Sequence, residues 1–86
     1  MKNNHNVARN MGKLPTTLDE LANIMGISHD ELKCCPEVDA VREAVTEYNR
    51  TFDTARFESN LRTILTRVAG VYTTAIEDLI QYAHAL

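Results

Sequence analysis

The side chains able to do chemistry are few and scattered. Two cysteines stand side by side, Cys34-Cys35, while the histidines fall far apart at His5, His29 and His84. Adjacent cysteines can close only a strained and rare vicinal disulfide, and no third cysteine offers a better partner. Two reduced thiols are therefore expected, with Cys35 in the core. Zinc-type sites need ligands at short fixed spacings, and neither C-x-x-C nor H-x-x-x-H occurs. Glu77-Asp78 is an adjacent acid pair, which on a helix points in two directions and stays solvated. There is no glycine-rich phosphate loop, no G-x-S-x-G and no nucleophile–base–acid arrangement. The chain reads as non-enzymatic, without a metal or a cofactor.

What remains is surface, and helices must position it. Thr17-Leu18-Asp19-Glu20 has the capping-box form, in which the Thr17 hydroxyl accepts from the Glu20 amide and the Glu20 carboxylate reaches back to the Thr17 amide. Pro15 discourages an earlier start. Leu18, Leu21, Ala22 and Met25 then recur at helical spacing, and Gly26 supplies the left-handed residue that ends the helix. A second capping box, Ser28-His29-Asp30-Glu31, opens the next helix, with Leu32 and Cys35 inward and Pro36 limiting it to about two turns.

Ala22, Gly26, Ile27, Leu32 and Cys35 together resemble the helix-turn-helix superfamily, across about twenty residues. More loosely, the stretch is similar to the short versions found in phage regulators and small terminase subunits. The resemblance implies a small DNA-binding protein, a regulator or packaging factor of a phage or mobile element, acting as a dimer on duplex DNA. It would set Ser28, His29 and Lys33 at the groove and Lys2, Arg9 and Lys13 on phosphates.

The charge pattern supports an alternative of another class. Residues 1–13 carry Lys2, Arg9 and Lys13 with no acid, a basic arm expected to be flexible. Residues 14–47 are strongly acidic, balanced only by Lys33 and Arg42, and Asp30 and Glu31 would oppose phosphates. An acidic helical surface of Asp19, Glu20, Asp30, Glu31 and Glu37 could instead dock a basic protein partner, or occupy a nucleic-acid channel by charge mimicry. That makes the protein a binding adaptor or inhibitor.

The rest of the chain sets the architecture. Pro36 suits the first position of a third helix, whose stripe Val38, Val41, Val45, Tyr48 and Phe52 is expected to pack on the first two. The stripe loses register after Phe52, so a break is expected at 51–54. From Thr54 to His84 one long helix is expected, of about 45 Å, against a domain diameter of roughly 30 Å. Either it bends at Ala69-Gly70 and folds back, or it pairs with a second subunit. A homodimer is the reading taken, with Leu61, Ile64, Leu65, Val68, Val71, Tyr72, Ile76, Leu79 and Ile80 as its seam. The expected fold is thus all-α: a flexible arm (1–13), a compact helix-turn-helix three-helix unit (14–52) and a long C-terminal packing helix (53–86). No apolar run approaches membrane length and the first residues show no apolar leader, so a cytoplasmic protein is expected.

Overall fold

The computed structural model describes residues 12–86, which form five helices and no strand. Most of the expected basic arm, including Lys2 and Arg9, lies outside the described residues. The helices are α1 (Leu18–Met25), α2 (His29–Lys33), α3 (Val38–Thr51), α4 (Thr54–Leu65) and α5 (Val71–Ala85).

Local chemistry places the ends of α1 and α2. Thr17 is extended, and its hydroxyl accepts from the Glu20 amide at 3.3 Å. The first capping box is only half made, because Glu20 Oε1 accepts from the Thr17 hydroxyl at 3.0 Å rather than from its amide. Gly26 is left-handed at φ 73°, where a Cβ would be strained. Its amide donates to the Asn23 carbonyl and the Ile27 amide to that of Ala22, the Schellman arrangement. The box at α2 is complete: the Glu31 amide donates to Ser28 Oγ at 3.0 Å, and the Ser28 amide to Glu31 Oε1 at 2.9 Å. This helix has 5 residues and stops at Lys33, short of the expected end at Cys35. Pro36 lies in the following turn, and α3 starts at Val38 rather than at the proline.

The expected break after the third helix is present, with a different role for Phe52. Instead of extending the buried stripe, Phe52 adopts φ 57°, donates its amide to the Tyr48 carbonyl at 2.7 Å and is 48% exposed. Its ring meets Tyr48 edge-on, with centroids 5.9 Å apart. Asp53 then caps α4, accepting from the Arg56 amide at 3.0 Å.

The single long C-terminal helix is not observed. It is two helices of 12 and 15 residues, folded against each other. Thr66 ties its hydroxyl to the Thr63 carbonyl, and Gly70 takes φ 63° with ψ −135°, a backbone state that cannot continue a helix. The overhang that argued for a second subunit disappears with it. A straight helix of about 45 Å would exceed the longest extent of the molecule, 40 Å. Of the expected seam, Leu61, Ile64, Ile76, Leu79 and Ile80 are buried in the chain's own core, and Leu65, Val68 and Tyr72 pack against its edge. Val71 alone of these is exposed.

Packing also redraws the three-helix unit. The main partner of α3 is α4, and the main partner of α1, besides α2, is α5. The third helix therefore does not close a self-contained unit with the first two. All five helices contribute to one core, with Leu21, Leu32, Val41, Leu61 and Leu79 each at 1% exposure or less. Ahead of α1, the side-chain amide of Asn49 grips the main chain of Leu14 on both sides. Leu14 N–H donates to Asn49 Oδ1 at 2.7 Å, and Asn49 Nδ2 donates to the Leu14 carbonyl at 2.8 Å. This fixes the buried Leu14 side chain over the core.

Candidate interaction surface

The first two helices carry the residues singled out from the sequence, and the fold exposes them. Ser28, His29, Asp30, Glu31 and Lys33 are all exposed, while Leu32 points inward with no accessible surface. Exposure does not leave them equally available. The Ser28 hydroxyl and one Glu31 oxygen are committed to the cap. His29 Nδ1 lies 3.5 Å from Asp19 Oδ1, which links the first turns of α1 and α2. The Asp19 side chain is nonetheless 82% exposed.

The short helix is braced from behind. Tyr72, in the first turn of α5, donates its phenol to the Glu31 main-chain carbonyl at 2.7 Å. Desolvation pushes the Tyr72 phenol up, and the nearby Cys35, Cys34 and Glu31 act in the same direction. The phenol thus keeps the proton that it donates. Behind α2, Cys35 is buried at 4% exposure, whereas Cys34 is exposed, and both thiols are free.

The cations distribute unevenly. Arg62 Nε contacts Glu58 Oε2 at 2.7 Å, and Arg67 reaches Glu37 Oε1 at 3.5 Å. Arg56 pairs with Glu47, which Asn60 also approaches. Glu58 further accepts from or shares a proton with His84 Nε2 at 2.7 Å, and the His84 and Arg62 contacts hold its carboxyl below the usual range. Among the described residues, Lys13, Lys33, Arg42 and Arg50 form no ion pair, and neither does Asp30. Lys13 is exposed beside Glu20, both lining one cleft with Asn23 and Tyr82. Glu37 is only partly exposed and faces Arg67, so it stands apart from the other four acids of the expected surface.

Sequence reasoning did not assign Tyr72 to α2, Asn49 to Leu14 or Glu58 to His84. Each pair is separated by 26 residues or more, and no local spacing marks such a contact. A faint signal exists for Asn49, a polar residue directly after the buried Tyr48 in an otherwise regular helix. Among the described residues, no group of three His, Cys, Asp or Glu side chains is placed to hold a metal ion. Nor is any helix among them long and apolar enough to cross a membrane.

The chain matches no protein-family model, no curated protein and no solved structure.

Proposed function

We propose that the protein is a non-enzymatic binding module that docks a basic partner through Asp19, Glu20, Asp30 and Glu31 on α1 and α2. One observation carries this reading: among the described residues, the arginines on and just after α4 are paired with carboxylates, whereas the exposed acids of α1 and α2 meet no lysine or arginine. Arg56, Arg62 and Arg67 each face a carboxylate, while Asp30 has no ion-pair partner among the described residues and Asp19 meets only a histidine. Opposed charge of this kind steers encounter and sets orientation more than it adds affinity. The caps at Thr17 and Ser28 and the Tyr72 brace hold the acids on ordered backbone, which lowers the ordering cost of docking. The basic partner class includes nucleic-acid-binding proteins, whose channels accept a face of closely set negative charge.

A second reading, contact with duplex DNA, is favoured by the exposure of Ser28, His29 and Lys33 on α2 and of Lys13 ahead of α1. It fits less well, because Asp30 and Glu31 would then lie near phosphates and oppose the attraction that drives most DNA affinity. In that reading, of the expected seam only Val71, with the partly buried Leu65, Val68 and Tyr72, remains at the surface for pairing two copies.

Lys33→Glu separates the two by sign. We expect fluorescence anisotropy to show a lysine-rich peptide binding more tightly to the variant than to the parent, by about 0.2–1 kcal/mol, and more weakly as salt rises. Duplex binding that weakens with salt and is lost in Lys33→Glu would overturn the proposal in favour of DNA.

A further inference from the structure

We draw no further inference here: the strongest candidate, the cleft of about 570 Å³ between the Lys13–Thr16 segment, α1 and Tyr82 of α5, has the polar side-chain atoms of Asn49 already engaged by Leu14, and nothing in the structure shows what occupies it.

Discussion

Just along and beyond α4, Arg56, Arg62 and Arg67 meet Glu47, Glu58 and Glu37, so that carboxylates and guanidiniums cross between neighbouring turns and helices. On α1 and α2 the carboxylates either serve a cap, as Glu31 does, or face solvent, as Asp30 and Asp19 do. Both regions are built on the same core, yet they use acids for different ends. In the arginine-bearing region, Arg56–Glu47 links α4 to α3, Arg67–Glu37 links the turn after α4 to the start of α3, and Arg62–Glu58 ties successive turns of α4 itself. In the α1–α2 region, charge is spent on chain ends or left on the surface. Substitutions of exposed acids should accordingly be felt in stability in the first region and in binding in the second.

The sharpest test of that comparison lies beneath the charges. Leu32→Ala removes the one buried side chain contributed by α2 itself, and Leu61→Ala removes an equally buried one from α4. Each should cost about 2–5 kcal/mol in denaturant unfolding. Only Leu32→Ala should also weaken docking of a basic peptide, and equal effects of the two on docking would erase the distinction between the regions. Gly26→Val comes next, because a β-branched side chain at φ 73° is strained by about 1–3 kcal/mol. A thermal transition unchanged from the parent would mean that the turn between α1 and α2 tolerates another backbone.

Tyr72→Phe tests the brace between regions. Losing the bond to the Glu31 carbonyl should read as faster amide exchange in α2 with α4 unaffected. Uniformly faster exchange would show that the bond holds the whole core instead. The smallest effect is electrostatic. Because Glu58 is held below the usual carboxylate range, its contribution is fully present above the unfolded value and is lost as pH falls through the folded one. The melting difference between the parent and Glu58→Gln should therefore be visible at neutral pH and close on acidification. A difference that persists in acid would assign the role of Glu58 to packing.

What could be read in advance divides along a physical line. Thr17, Ser28, Gly26 and the break at 51–54 follow from interactions spanning three to five residues, where residue type and position state the conformation almost alone. The exposure of Asp19, Glu20, Asp30 and Glu31 follows for the same reason, since a helix start fixes which side chains follow it, whereas Glu37 turns toward Arg67 across 30 residues. The separation of α4 from α5 was harder. Gly70 is a weak breaker, costing about 1 kcal/mol inside a helix, and no proline accompanies it, so a long helix and a hairpin share one apolar pattern. Contacts such as Asn49 with Leu14 and Tyr72 with Glu31 join positions 35 and 41 apart, and they exist only once the core has brought those helices together.

Cys34 and Cys35 are neighbours in the chain but not in circumstance: one thiol faces solvent and the other is sealed behind α2. A thiol-directed reagent therefore meets two sites on one dipeptide that answer to different clocks. The rate at Cys34 reports the chemistry of the reagent, and the rate at Cys35 reports how often the core around it opens. The ratio of the two rates is a gauge of local opening at that end of the core that the native chain carries without any added label.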